Sequence, residues 1–207
     1  MNRRLDGLKD LAAFESAVAA AKAWPKDEPT SGLNYDLHET AMRCWFEAQM
    51  KSGWTATSVM QGALMIYGWM PTILEGRRKS DLMENDTLYK FGEALNQAAD
   101  APESLDPSFM DYINGSFVGT SKFLHFSFPA SFAIWDMNVA RALVSRYEEA
   151  QKLRRDEIEK ANVVAQYQRL IREHCSDRDD ANLRDIEVAL FRFGQTRAPK
   201  ASKKKKA

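Results

Sequence analysis

Apolar side chains recur along this chain at helical rather than strand spacing. Leu8, Leu11, Phe14, Val18 and Ala21 mark one apolar stripe in an Ala-rich run, which predicts a helix over 6–24. Pro25, Pro29 and Ser31-Gly32 end it. Met42, Trp45, Phe46 and Met50 predict a second helix over 37–51, closed by Ser52-Gly53. A third is expected from Thr57, a capping residue, to Tyr67, before the Gly68 and Pro71 breaks. Leu82, Leu88, Phe91 and Leu95 predict a fourth over 80–99. Asp106-Pro107 pairs a cap with a first-turn proline and predicts a short helix to Tyr112.

Asn114-Gly115 reads as a turn, and Gly119-Thr120-Ser121 as the opening of a helix that Pro129 stops. Asp136 stands where an N-cap belongs, ahead of Val139, Leu143 and Val144. From Glu148 to Cys175 charged neighbours at helical spacing outnumber the apolar positions, which predicts a long, partly exposed helix or helix pair. Ser176-Asp177 opens the last helix, carrying Leu183, Ile186, Leu190 and Phe191 to Gly194. The expected fold class is all-α: one compact, orthogonal multi-helix domain over 1–195 with a helix-hairpin-helix-like element, then a flexible basic tail over 196–207.

Composition agrees with a packed domain. The chain has 207 residues, 44% of them apolar, enough to bury a substantial core. No run approaches the roughly 20 apolar residues that span a bilayer, so no membrane association is expected. The acidic residues after Met1-Asn2-Arg3-Arg4 leave no secretory leader pattern. Cys44 and Cys175, far apart, then predict free thiols and a reducing, cytoplasmic setting.

Net charge is zero but unevenly placed. Residues 197–207 hold six Lys and Arg and no acid, which leaves 23 basic against 29 acidic residues in the body. Such a tail can contact nucleic acid or solvate a chain end, whereas the acidic body excludes a broad DNA-coating surface. Arg77, Arg78 and Lys79 form the densest basic cluster of the body, suited to phosphates or to solvating a loop. Tyr67 and Trp69, beside Gly68 and Pro71, are candidates for stacking on an extruded base, with core packing the alternative. The 148–175 segment is a candidate surface for a protein partner.

The chemically suggestive stretch runs from Gly115 to Arg141. It is not a nucleotide-binding P-loop: three residues separate Gly115 from Gly119, Lys122 does not follow the second glycine, and no strand precedes it. A glycine turn feeding a helix N-terminus presents backbone N–H groups, so Gly119, Thr120 and Ser121 are candidate holders of a DNA phosphate. Lys122 lies in that helix's first turn, and Asp136 at the next helix start. A desolvated lysine attacks an electrophilic sugar carbon, and a carboxylate stabilises developing positive charge or manages protons. The bland alternative makes Lys122 a surface lysine, Asp136 an ordinary N-cap, and Phe123, Phe126, Phe128, Phe132 and Trp135 simple core. His125 reads as a packed, hydrogen-bonded histidine. His38 and His174 lack partners at metal-site spacing, so neither a metal nor a cofactor is expected.

Val118-Gly119-Thr120-Ser121-Lys122, an apolar helix, and then Ile134-Trp135-Asp136-Met137-Asn138-Val139 resemble the helix-hairpin-helix DNA glycosylase superfamily, nearest to its 8-oxoguanine branch. The resemblance spans residues 114–141. It implies an all-helical DNA-binding enzyme that releases a damaged or modified base, with Lys122 as Schiff-base nucleophile and Asp136 as the catalytic acid. This chain differs from the family pattern in its four-residue glycine spacing, an extra residue before the lysine and a shorter lysine-to-aspartate interval. A non-catalytic helical module that binds DNA or protein is the competing expectation.

Overall fold

The computed structural model describes residues 6–23, 35–69, 85–105, 109, 112–113, 115–143, 157–176 and 183–197. Among them the regular structure is helical, with no strand, as the apolar spacing predicts. The helices are α1 (Leu11–Lys22), α2 (Tyr35–Ser52), α3 (Ala56–Trp69), α4 (Asn85–Gln97), α5 (Phe117–Ser127), α6 (Met137–Ala142), α7 (Glu157–Ser176) and α8 (Leu183–Thr196), with 3-10 turns at Asp6–Leu8 and Pro102–Ser104. No described helix is long and apolar enough to cross a membrane. Cys44 and Cys175 are unbridged.

Several helix starts follow from local chemistry. Asp10 caps α1 by accepting from the Ala13 amide, so the first predicted helix resolves into a 3-10 turn and a later α-helix. Thr55 and Ser58 cap α3 reciprocally: the Thr55 amide donates to Ser58 Oγ and the Ser58 amide to Thr55 Oγ1. The start of the predicted fourth helix, the basic cluster Arg77-Arg78-Lys79, most of the 107–112 helix, residues 148–156, Asp177 and the tail beyond Arg197 lie outside the described residues. Ser176, expected to open the last helix, instead ends α7, and the last helix is described from Leu183.

The chain divides into two compact units. One comprises Pro25–Trp135 and Asn182–Arg184 and contains α2 to α5. Its core is aromatic. The Phe123 ring stands 5.1 Å from Phe46, 5.0 Å from Trp54 and 5.4 Å from Phe91, in edge-on or tilted geometry suited to ring quadrupoles. Gly62 on α3 makes room for it, since a Cβ there would lie 2.7 Å from Phe123 Cε2. Asn96 on α4 clamps the α2–α3 connection, accepting from the Trp54 amide and donating to the Trp54 carbonyl.

The other unit comprises Met1–Trp24, Asp136–Ala181 and Asp185–Ala207. Leu8, Phe14, Val18, Val139, Tyr167, Leu170, Ile171, Ile186 and Leu190 form its core. The Gly7 amide donates to the Leu143 carbonyl at 2.9 Å, and Gln166 Nε2 donates to the Leu8 carbonyl. Gly194 of α8 crosses α6 so closely that a Cβ there would overlap the Asn138 carbonyl oxygen. Arg197 Nη1 donates to the Arg141 carbonyl at 2.9 Å, satisfying an acceptor at the end of α6.

Candidate functional site

The segment from Gly115 onward is organised by one cap and three inward hydrogen bonds. Gly115 adopts φ +58°, a conformation that favours glycine, and turns the chain into α5. Ser116 is the N-cap, its Oγ accepting from the Gly119 amide at 3.2 Å. The helix therefore begins at Phe117. Gly119, Thr120 and Ser121 lie inside its first turns rather than ahead of them.

That shift changes what these residues do. All three are buried, Thr120 and Ser121 completely. The Gly119 amide is taken by Ser116 Oγ and the Thr120 amide by the Ser116 carbonyl. Thr120 Oγ1 accepts from the Ile113 amide at 2.9 Å. Ser121 Oγ accepts from the Trp135 amide at 3.0 Å and lies within donating distance of the Val118 and Trp135 carbonyls. The side-chain oxygens of Thr120 and Ser121, expected with Gly119 to hold a phosphate, thus bond within the fold and face the interior.

Tyr67, expected to stack on a base or to pack in the core, is also turned inward. It is 7% exposed, and its ring and hydroxyl occupy the space a Gly119 Cβ would need, with Oη 2.6 Å from that position. It packs α3 against α5. Its hydroxyl is buried without a hydrogen-bond partner. Trp69 ends α3, and its side chain lies outside the described residues, as do Arg77, Arg78 and Lys79.

Lys122 is half-exposed, flanked on the helix by the buried Ser121 and Phe123. Asp136 is half-buried and caps α6, as its sequence position predicts: Oδ1 accepts from the Asn138 amide at 2.7 Å and the Val139 amide at 2.9 Å. Lys122 belongs to the unit of α2–α5, and Asp136 is the first residue of the other unit's second segment. A shallow groove of about 470 Å³ is lined by Met50, Lys51, Pro102, Phe128 and Pro129, and Lys122 is not among its walls.

His125 is fully buried, as a packed histidine should be. Nδ1 lies 2.9 Å from the Phe132 carbonyl and so carries the hydrogen, while Nε2 is buried without a partner. Burial pulls its pKa down to about 4; the Phe132 bond opposes this, and the charges of Arg184 and Arg43 add to the lowering. Those arginines converge on Glu39 of α2. Arg43 Nη2 donates to Oε1 at 2.8 Å and Arg184 Nη2 to Oε2 at 2.9 Å. Burial alone would raise the Glu39 carboxyl, but hydrogen bonds and charge from Arg184 and Arg43 outweigh it and hold the pKa below its ordinary value. The sequence carries one half of this cluster, the Glu39/Arg43 i,i+4 pair, and no local signal for Arg184. Among the described residues, no three His, Cys, Asp or Glu side chains are grouped to hold a metal ion.

No family model, no curated protein and no solved structure matches this chain.

Proposed function

We propose that the protein acts on DNA as a glycosylase, with Lys122 as nucleophile and Asp136 as its acidic partner. The reading rests on the resemblance of residues 114–141 to helix-hairpin-helix DNA glycosylases. The observation that carries it is the setting of Lys122. Its neighbours on α5, from Gly119 to Ser121 and from Phe123 to Ser127, are buried, while Lys122 keeps access to solvent. Asp136 adds a carboxylate whose orientation two helix amides fix.

In the proposed reaction the neutral Lys122 amine attacks C1′ of the sugar. The C1′–N bond to the base breaks, and the base leaves with the electron pair and takes up a proton. The C1′–O4′ bond of the sugar then breaks, O4′ keeping the electron pair and taking a proton from water, which leaves an iminium between Nζ and C1′. Asp136 stabilises the positive charge that develops on the sugar.

Borohydride reduces that iminium to a stable amine. Duplexes carrying 8-oxoguanine and other damaged bases, incubated with the full chain and borohydride, should give a covalent adduct that Lys122→Gln abolishes. Absence of any adduct across the lesion panel, with Lys122→Gln matching wild type in base release, overturns the proposal.

A second reading is favoured by the inward hydrogen bonds of Thr120 and Ser121: a non-catalytic helical module in which this stretch is scaffold. Salt-dependent DNA binding that disappears on deletion of residues 197–207, with no base release, supports this reading. So does co-purification of a protein partner without DNA affinity.

A further inference from the structure

The thioether of Met50 meets two environments near the end of α2. Its Sδ accepts from the indole Nε1–H of Trp54 at 2.9 Å. The Trp54 ring is buried in the aromatic core of its unit, 5.0 Å from Phe123, 5.6 Å from Phe46 and 6.1 Å from Trp45. An indole can only donate, so the sulfur supplies the acceptor that burial demands. Met50 is also partly exposed, and it lines the groove of about 470 Å³ with Glu47, Lys51, Pro102, Phe128 and Pro129. Met42, earlier on the same helix, is buried.

Thioether sulfur is soft and polarisable, with two lone pairs, and one N–H contact leaves it reactive toward electrophilic oxygen. A groove of this volume admits an oxidant little larger than water. Oxidation would change the contact with Trp54 as well as the groove wall. An N–H···O bond takes up about 2.9 Å by itself, so an added oxygen has no place between sulfur and nitrogen at their present spacing. Either the indole N–H loses its acceptor, or Met50 swings outward to present the new oxygen to it. In both cases a flexible apolar side chain of the groove becomes a polar one.

We propose that Met50 is a site of reversible oxidation by hydroperoxides, and that its state is read at the buried indole of Trp54. A sulfur lone pair attacks one oxygen of hydrogen peroxide. The S–O bond forms as the O–O bond breaks, and the departing hydroxide takes the proton of the transferred oxygen and leaves as water. Sulfur is oxidised by two electrons and the peroxide is reduced by two. In the reverse direction two thiols of a reductase supply two electrons, become a disulfide, and the oxygen leaves as water. The site stands apart from the glycosylase reading and shares no residue with it.

Treating the full chain with hydrogen peroxide and mapping its methionines by mass spectrometry tests the site. Met50 should gain one oxygen at least about tenfold faster than the buried Met42. In the nuclear magnetic resonance spectrum of the indole N–H groups, the Trp54 Nε1–H signal should shift in step with formation of the Met50 sulfoxide. Methionine sulfoxide reductase with dithiothreitol should return that signal to its starting position. Oxidation of Met50 no faster than that of Met42 overturns the proposal. So does a Trp54 signal that holds still while the sulfoxide forms, or a shift that the reductase does not reverse. Met50→Leu, which has no sulfur at this position, should show no peroxide-dependent shift of Trp54, and a shift equal to that of wild type overturns the assignment to Met50. The wild-type measurements decide the matter by themselves if Met50→Leu does not fold.

Discussion

The imidazole of His125 donates through Nδ1 to the carbonyl of Phe132, 2.9 Å away, so a fully buried ring ties α5 to the turn that follows it. Protonation would place a second N–H on Nε2, which has no acceptor, near the charges of Arg184 and Arg43. The pKa of about 4 in the folded chain lies below the ordinary 6.5 of the unfolded one. The folded state therefore binds fewer protons. Stability from this group is complete above pH 6.5 and is lost as pH falls from 6.5 through 4, by about 3 kcal/mol in all. Urea denaturation across that range should show the loss. His125→Gln, which retains an N–H donor for Phe132, should flatten it. An equal pH slope in that variant counts against the assignment.

Gly119 and Tyr67 compete for one space. A methyl at 119 would stand 2.6 Å from Tyr67 Oη and 3.1 Å from two ring carbons. Gly119→Ala should cost about 1–3 kcal/mol. Tyr67→Phe alone should leave stability unchanged or raised, because it removes a buried hydroxyl with no partner. Combined, the two should recover part of the loss, since the hydroxyl clash goes while the ring contacts stay. A double-mutant cycle by thermal denaturation reads the coupling. Simple additivity would mean that the contact does not limit this packing.

Gly194→Ala should be the more damaging glycine change. Its Cβ would meet a backbone oxygen, Asn138 O, at 1.8 Å, and no rotamer can move that atom away. A loss of more than about 3 kcal/mol is expected by chemical denaturation. A loss no larger than that of Gly119→Ala would show that α8 shifts off α6 at little cost.

Ser121 separates scaffold from DNA contact. Ser121→Ala leaves the buried Trp135 amide without its acceptor, which costs about 1–3 kcal/mol. The inward geometry predicts that this loss appears in the denaturation midpoint and that DNA affinity, at temperatures where the variant is folded, stays at the wild-type value. A weakened affinity with unchanged stability would return Ser121 to the surface role its sequence position suggests.

These examples show which features local sequence exposes. The N-cap at Asp136 was legible because capping depends on residues within one turn, and Val139 and Leu143 mark the helix behind it. The start of α5 was misplaced by two residues. Ser116 and Gly119 both suit a helix start, and the choice was made by Gly115, whose positive φ sets the turn one residue before Ser116. Thr120 and Ser121 looked like ligand-binding hydroxyls because their partners, the Ile113 and Trp135 amides, are backbone groups that leave no mark in sequence. Arg184 was illegible for another reason. Its partner Glu39 lies 145 residues away, and no periodicity reaches that far. The all-helical class survives such errors because it rests on many apolar positions at once.

Asp136 allows catalysis and scaffold to be separated within one side chain. Its Oδ1 satisfies two amides of α6, so Asp136→Ala should cost about 1 kcal/mol of stability whatever the protein does. Asp136→Asn keeps an oxygen acceptor at the cap and removes only the charge. If the carboxylate stabilises a cationic sugar, Asp136→Asn should keep the wild-type denaturation midpoint but slow base release and borohydride adduct formation by about a hundredfold, a loss of the size that follows removal of one electrostatic contact to a transition state. If Asp136 is a cap alone, Asp136→Asn should match wild type in both assays, and Asp136→Ala should affect only stability. The contrast between the two variants, measured with stability and trapping side by side, therefore decides whether the charge of this residue has any use beyond the start of its helix.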